Sequence, residues 1–172
     1  MKIQKNNIIV EKTARYFTIG ELNAKTKVIW FVLHGYAQTA ESFLESLKEL
    51  QNEHTFIVAP EGLSRFYWKD FISNPVASWM TKTDREYDIK DNLLYLQKLY
   101  TDVLNLNSNN DVQINYFGFS QGVATLSRWI SEDKTKVNKI VFYAGDVAHD
   151  IDISKSENFR NAEIRFIYGD NC

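Results

Sequence analysis

Short apolar runs alternate along the chain with stretches in which apolar residues recur every three or four positions. The strand-like runs are 27–33, 55–59, 111–119, 137–143 and 163–168, and the first is nearly continuous, as in a strand buried on both faces. Helical spacing begins near Ala40 and recurs at 89–103 and 121–130. This alternation predicts the α/β class: a doubly wound, mostly parallel sheet with helices on both faces.

Three segments are less regular. Residues 8–11 and 15–19 are rich in β-branched and aromatic types and are predicted to form an opening hairpin or edge pair. Residues 61–81 carry many aromatic side chains with no clear period, which is typical of a long loop that serves a function. Thr83, with Glu86 three positions on, predicts a capping box at the start of a helix that ends near Asn105.

Composition narrows the class of protein. The 172 residues are 44% hydrophobic and 14% aromatic with a net charge of −2, which excludes a disordered chain and argues against a nucleic-acid partner. Apolar runs are too short for a membrane span. The amino terminus lacks the apolar core of a signal peptide and Cys172 is the single cysteine, so a cytoplasmic location is expected. We see no repeat or linker and predict one domain over residues 1–172.

The sequence GFSQG at residues 118–122 fits the G-x-S-x-G pattern of a nucleophile elbow. It follows a predicted strand and opens a predicted helix, the context in which a tight turn presents a serine hydroxyl at the carboxyl edge of a sheet. Ser120 is therefore the candidate catalytic nucleophile. The alternative is that Ser120 simply caps the helix between two turn glycines.

A second turn, His34-Gly35-Tyr36, follows the strand predicted at 27–33. A backbone N–H just past such a turn supplies one donor of an oxyanion hole, and the N–H after the serine supplies the other. Tyr36 and Gln121 are the candidate donors. The alternative is a plain strand-to-helix turn with His34 packed in the core.

The segments LHGYAQTAESF, VAPEG, ASWM and GFSQG, in that order, resemble the phospholipase/carboxylesterase family, the acyl-protein-thioesterase-like branch of the α/β-hydrolases. The resemblance implies an α/β-hydrolase fold, a Ser-Asp-His triad, no cofactor or metal, and a small-molecule ester or thioester substrate. It matches Ser120 to the nucleophile, the N–H groups of Tyr36 and Gln121 to the oxyanion hole, and Trp79 to the substrate pocket.

The sequence departs from the family pattern in several places. Ala37 stands where the family usually has a glycine, and Met80-Thr81 replaces an aromatic-acid pair. The triad acid of the family lies three residues after a glycine, a position that Cys172 holds here, so Asp170 is the candidate acid.

The histidine of the family lies beyond a further strand and helix, which implies that the last strand, the last helix and the triad histidine are missing from this chain. His34, His54 and His149 are weak candidates for it, and His149 alone is predicted on the correct side of the sheet.

Three functions follow. The first is a serine hydrolase of carboxylic esters or thioesters, and the second is a non-catalytic relative that binds a ligand or partner, since no triad histidine lies within the chain. The third is another serine hydrolase of the same fold, such as a dienelactone-hydrolase-like enzyme or a small amidase, which GFSQG and the HGY turn fit less well. An unpaired edge strand at 163–168 also predicts self-association into a homo-oligomer.

Overall fold

The strands form one large sheet and one small one. The computed structural model describes residues 1–109 and 111–169. The strands within that part are β1 (Tyr16–Ile19), β2 (Val28–Leu33), β3 (Thr55–Pro60), β4 (Ser64–Phe66), β5 (Val76–Ser78), β6 (Gln113–Phe119), β7 (Lys139–Tyr143) and β8 (Glu163–Ile167). Six of them form a sheet in the order β1-β3-β2-β6-β7-β8, and β4 pairs with β5. β1 is antiparallel to β3, and the other pairs of the large sheet are parallel.

Helices cover both faces of this sheet. They are α1 (Ala40–Glu45), α2 (Arg85–Leu106), α3 (Gln121–Ser131) and α4 (Glu157–Asn161), with 3-10 turns at Lys48–Leu50 and Ile153–Lys155. One core lies between the sheet and α2 and α3, and a smaller one packs Phe43 and Leu44 of α1 against Val32 and Ile57. The predicted α/β architecture is confirmed. None of the helices among the described residues has the length and apolar character of a membrane span.

The central strands bring the two candidate turns side by side. β2 and β6 pair in parallel register, with Leu33 opposite Gly118. Both strands therefore end at the same edge of the sheet, and the chain that leaves β2 at His34 lies beside the chain that leaves β6 at Ser120. Parallel strands place the segments that follow their carboxyl ends at a common edge, which is where α/β proteins build their sites.

The predicted pairing of residues 8–11 with residues 15–19 is wrong. Residues 8–11 form no strand, and β1 instead pairs with β3, with Phe17 opposite Ala59. Phe17 and Ile19 lie on one face of β1 and pack against the smaller core, which residues 8–11 do not reach. Ile9 and Val10 lie instead beside α2, where they line a cavity with Leu94 and Tyr95.

Two other local predictions need correction. The residue before α2 is Asp84, in the left-handed region at φ 56°, and no side-chain hydrogen bond caps the helix, so the capping box predicted from Thr83 does not form. The long loop at 61–81 holds the small sheet of β4 and β5. The helix α4 was not predicted. It is five residues long, too short to show a helical period in the sequence.

β8 lies at one end of the large sheet, and β7 is its one neighbour among the described residues. Phe166 is 48% exposed and Ile167 41% exposed. The edge that the sequence predicted is therefore present, while self-association through it stays a prediction.

Candidate functional site

Ser120 stands at the turn between β6 and α3 with φ 51° and ψ −118°. Its backbone N–H donates to the carbonyl of Tyr143 at 2.9 Å, and its own carbonyl accepts from the N–H of Val123 at 2.9 Å. A residue with a side chain rarely adopts a positive φ, and such strain persists where the surroundings enforce it. The strand-turn-helix geometry predicted for GFSQG is observed, while the chemical role of Ser120 stays a prediction.

Glycines allow the close approach of chains around this turn. A Cβ atom on Gly122 would lie 2.5 Å from the carbonyl oxygen of Leu33, and one on Gly145 would lie 2.4 Å from that of Ser120. No real Cβ makes such contacts with backbone, so α3 packs onto the end of β2, and the chain after β7 onto Ser120, only with glycine at these positions. The sequence pattern identified Gly118 and Gly122, but Gly145 carries no motif that would have singled it out.

The turn after β2 is held by side-chain and backbone hydrogen bonds. The N–H of Gly35 donates to Oε1 of Gln38 at 2.8 Å, and the N–H of Ala37 donates to the carbonyl of Ala77 at 3.0 Å. Ala37 adopts φ 58°, the left-handed region that favours glycine. A glycine, which the resembling family usually has at this position, would adopt this φ without strain.

Tyr36 and Gln121, the candidate oxyanion donors, border one cleft of about 470 Å³. Gln121 is the first residue of α3, so its backbone N–H has no acceptor within the helix. Met80, Thr81, Lys82 and Arg85 border the same cleft. The two residues predicted from separate motifs thus border the same cleft, while their role as oxyanion donors stays a prediction.

His34 is a core residue. Its Nε2 accepts a hydrogen bond from the N–H of Gly62 at 3.0 Å, so the proton is on Nδ1, which donates to the carbonyl of Gly35 at 2.7 Å. Burial lowers the pKa of His34, more than the Gly35 carbonyl and the Glu61 carboxylate raise it. Both ring nitrogens are engaged, and His34 is neutral near pH 7.

Trp79 is fully buried behind the cleft. Its ring stacks on His34 with centroids 4.9 Å apart, and its Nε1–H donates to the carbonyl of His34 at 2.8 Å. These contacts anchor the connection between β5 and α2 to the turn after β2. A direct contact of Trp79 with substrate, as the resemblance implies, stays a prediction.

The side chain of Gln121 has a role that the motif did not suggest. Its Oε1 accepts from the N–H of Trp79 at 3.0 Å and from the hydroxyl of Ser78 at 3.2 Å, and its Nε2–H donates to the carbonyl of Met80 at 2.9 Å. Gln121 therefore fixes the chain between β5 and α2 to the start of α3. The partners lie more than 40 positions away in sequence, so no local pattern predicts them.

An ion pair holds the segment after β7 to α3. The Arg128 side chain is 4% exposed, and its Nε–H donates to both carboxylate oxygens of Asp150 at 2.9 and 3.0 Å. This guanidinium holds the pKa of Asp150 below its ordinary value. Arg128 also lies 3.7 Å from the sulfur of Met80, so the pair reaches the wall of the cleft.

The other candidate triad residues lie apart or outside the described part. His54 precedes β3, at the edge of the sheet opposite Ser120, and contacts the carbonyl of Lys25. His149 is exposed in the segment after β7. Asp170 and Cys172 lie outside the described residues. Within residues 1–109 and 111–169, no group of three or more His, Cys, Asp or Glu is arranged to hold a metal ion.

A second cavity, of about 520 Å³, lies between the amino-terminal segment and α2. Ile9, Val10, Leu94 and Tyr95 are among its lining residues, and neither of the two candidate donor residues is. Ser120 lines neither cavity, but its neighbour Gln121 lines the cleft. The second cavity is larger than the cleft but remote from the candidate chemistry, so the site is assigned to the cleft.

No protein-family model matches the sequence, and no curated protein matches it significantly. Solved structures do match. An acyl-protein thioesterase 2 from Zea mays shares 16% identity at a TM-score of 0.58, over 86% of this chain and 67% of that one. A phospholipase/carboxylesterase from Dyadobacter fermentans shares 16% identity at a TM-score of 0.62, over 94% of this chain and 90% of that one.

A carboxylesterase from Mesorhizobium loti shares 13% identity at a TM-score of 0.60, over 86% of this chain and 81% of that one. At such identities the likeness concerns the path of the backbone rather than the chemistry of the site. The mostly parallel sheet, the helices on both faces and this likeness agree, and the chain has the α/β-hydrolase fold.

Proposed function

We propose that the protein is a serine hydrolase that cleaves carboxylic esters or thioesters with Ser120 as the nucleophile. The observation that carries the proposal is the strained backbone of Ser120 at the carboxyl edge of the sheet, next to a cleft bordered by Tyr36 and Gln121. The fold supports it, since the structures it matches include a carboxylesterase and a thioesterase.

The arrangement suits acyl transfer. The hydroxyl oxygen of Ser120 would attack the carbonyl carbon, and a base would take the hydroxyl proton. The negative oxygen that forms would accept hydrogen bonds from the N–H groups of Tyr36 and Gln121, and one such donor is worth roughly 100- to 1000-fold in rate. The proton would pass to the departing alcohol or thiol, and water would then release the acid from Ser120.

The base in such a reaction is a histidine oriented by an acid. His34 is unsuited because it is buried with both ring nitrogens engaged. His54 lies at the opposite edge of the sheet. We keep Asp170 as the proposed acid, and His149 is the histidine of the described residues to test as base.

One observation favours a ligand-binding relative without turnover as the second candidate. Within residues 1–109 and 111–169, no hydrogen bond joins the hydroxyl of Ser120 to a histidine. A chain with this geometry and no positioned base would bind an acyl compound in the cleft and hydrolyse it slowly or not at all.

Labelling with a fluorophosphonate and hydrolysis of short p-nitrophenyl esters test the proposal. We expect Ser120→Ala to lose labelling and turnover, since removal of a triad nucleophile costs on the order of a million-fold. Ser131→Ala, at the other end of α3, is the matched control and should label like the wild type.

Equal labelling of the wild type and Ser120→Ala would overturn the assignment of Ser120. A folded wild type that neither labels nor hydrolyses the esters would favour the ligand-binding relative. A drop in labelling rate in His149→Ala, with an unchanged melting temperature, would identify His149 as the base.

A further inference from the structure

Two cations border the cleft on the side of α2. Lys82 and Arg85 are both exposed and both line it, and no carboxylate is among the lining residues. A cleft bordered by charges of one sign attracts ligands of the opposite sign.

Of the carboxylates near this rim, Glu86 is exposed beside Arg85, and three others have partners elsewhere. Asp84 pairs with Lys5, Asp88 accepts the N–H of Thr81 at 3.0 Å, and Asp150 faces Arg128. In the described part of the chain, neither Lys82 nor Arg85 has a carboxylate oxygen within 4.0 Å, whereas eleven other ion pairs do form there. Asp150 interacts with Arg85 at longer range, so within residues 1–109 and 111–169 neither cation of this rim is held in a direct ion pair.

Tyr36, which also lines the cleft, belongs to an aromatic cluster. Tyr36 stacks on Phe66 at 5.5 Å and meets Trp68 edge-on at 5.4 Å. A substrate whose carbonyl lies at the N–H groups of Tyr36 and Gln121 would thus share one cleft with an aromatic ring and two cations.

We propose that the cleft selects esters or thioesters whose acyl or leaving group carries an anionic group, in the simplest case a second carboxylate, paired with Lys82 and Arg85. This inference rests on the proposed function for the reaction but concerns binding alone. Exposed ion pairs are weak because water screens them, so we expect two of them to give a preference of roughly three- to tenfold.

The test measures binding apart from turnover. Monoethyl glutarate and ethyl valerate differ mainly in a terminal carboxylate, and Ser120→Ala holds either without hydrolysis. We expect monoethyl glutarate to bind three- to tenfold more tightly in titrations at about 0.02 M salt and to lose this preference at about 0.5 M. Adding Lys82→Glu and Arg85→Glu to Ser120→Ala should remove or invert the preference.

Lys90→Glu is the matched control, since Lys90 is an exposed lysine of α2 that does not line this cleft. It should leave the preference unchanged. Equal binding of the two esters, no measurable binding of monoethyl glutarate, or a preference that survives both charge reversals would overturn the inference. If the wild type shows no Ser120-dependent hydrolysis while the binding preference is present, the proposed reaction alone is overturned. If the wild type hydrolyses esters through Ser120 but binds the two esters equally, the anion site alone is overturned.

Discussion

The side chain of Gln121 holds the backbone of Trp79, with its Oε1 accepting the Trp79 N–H at 3.0 Å. Its amide nitrogen donates to the carbonyl of the next residue, Met80, at 2.9 Å. One side chain thus satisfies a donor and an acceptor of the segment that forms a wall of the cleft. The residue after Ser120 is therefore both a candidate backbone donor and the support of the cleft wall.

We expect Gln121→Glu to destabilise the fold by about 1–3 kcal/mol, because a carboxylate oxygen would face the Met80 carbonyl in place of the amide donor, and the Ser78 hydroxyl would be the remaining donor to that carbonyl. Urea unfolding at neutral pH measures this, and ester hydrolysis should show a raised KM. Gln51→Glu, at an exposed position, should stay within about 0.5 kcal/mol of wild type. A Gln121→Glu protein as stable as the wild type would contradict the role of the side chain.

Ala37→Gly should raise the free energy of unfolding by up to about 1 kcal/mol, because alanine is disfavoured at φ 58° and glycine is not. The added entropy of the unfolded glycine chain offsets part of the gain. Ala24→Gly is the control, since Ala24 has no positive φ and should lose about 0.4–1 kcal/mol. The melting temperatures of the two variants and the wild type measure this. A melting temperature of Ala37→Gly below that of the wild type would show that alanine is not strained at this position.

The pH dependence of stability should report the buried His34. Its pKa in the folded state lies below the unfolded value of about 6.5, so the unfolded chain binds more protons between the two. The stabilisation is fully present above about pH 6.5 and is lost as the pH falls towards the folded pKa. Gln in place of His34 keeps an acceptor for Gly62 but does not titrate.

Urea unfolding at about pH 7.5 and about pH 5 should therefore show a larger loss for the wild type than for His34→Gln. His54→Gln, at the opposite edge of the sheet, should behave like the wild type. The same loss in all three proteins would mean that His34 is not the titrating group.

Asp150→Asn should cost about 1–2 kcal/mol at neutral pH, since it leaves the buried guanidinium of Arg128 without a carboxylate, and exposure of Asp150 limits the loss. The pKa of Asp150 is lower in the folded state than in the unfolded state, so the ion pair stabilises the fold above the unfolded pKa. This stabilisation is lost as the pH falls through the folded pKa. The gap between variant and wild type should therefore close below about pH 4.

Asp146→Asn, in the same segment, is the control for Asp150→Asn. Asp146 is exposed, and no ion pair of it is found within residues 1–109 and 111–169. We expect its stability to match that of the wild type at neutral pH. If Asp146→Asn lost as much stability as Asp150→Asn, a general effect of charge in this segment would replace the ion pair as the explanation.

The 172-residue chain should self-associate through β8, because an edge strand with exposed Phe166 and Ile167 offers backbone groups to a second copy. Light scattering after size exclusion measures this. Ile167→Lys should shift the protein towards monomer, while Ile72→Lys, at a position 96% exposed elsewhere, should not. A wild type that is monomeric at every concentration would contradict the prediction.

The sequence by itself determined the order of the buried strands and of helices α1, α2 and α3, and the place of the candidate chemistry. The strands β2, β3, β6 and β7 are buried, and burial requires the apolar runs by which they were predicted. The turn at Ser120 was predicted because a short motif records its flanking glycines, of which Gly118 meets a local steric need while Gly122 makes room for the distant carbonyl of Leu33. Local geometry and burial pattern are the two properties that neighbouring residues encode.

Tertiary structure alone decided what depends on partners distant in sequence. The pairing of β1 with β3, the clamp of Gln121 on Trp79 and the ion pair of Arg128 with Asp150 each join segments at least 20 positions apart. The side chains in such contacts have no periodicity, because their geometry is set by how the helices pack on the sheet. The sequence identified Ser120 through a local motif. Whether Lys82 and Arg85 border the neighbouring cleft depends on how α2 packs beside α3, which no local motif records.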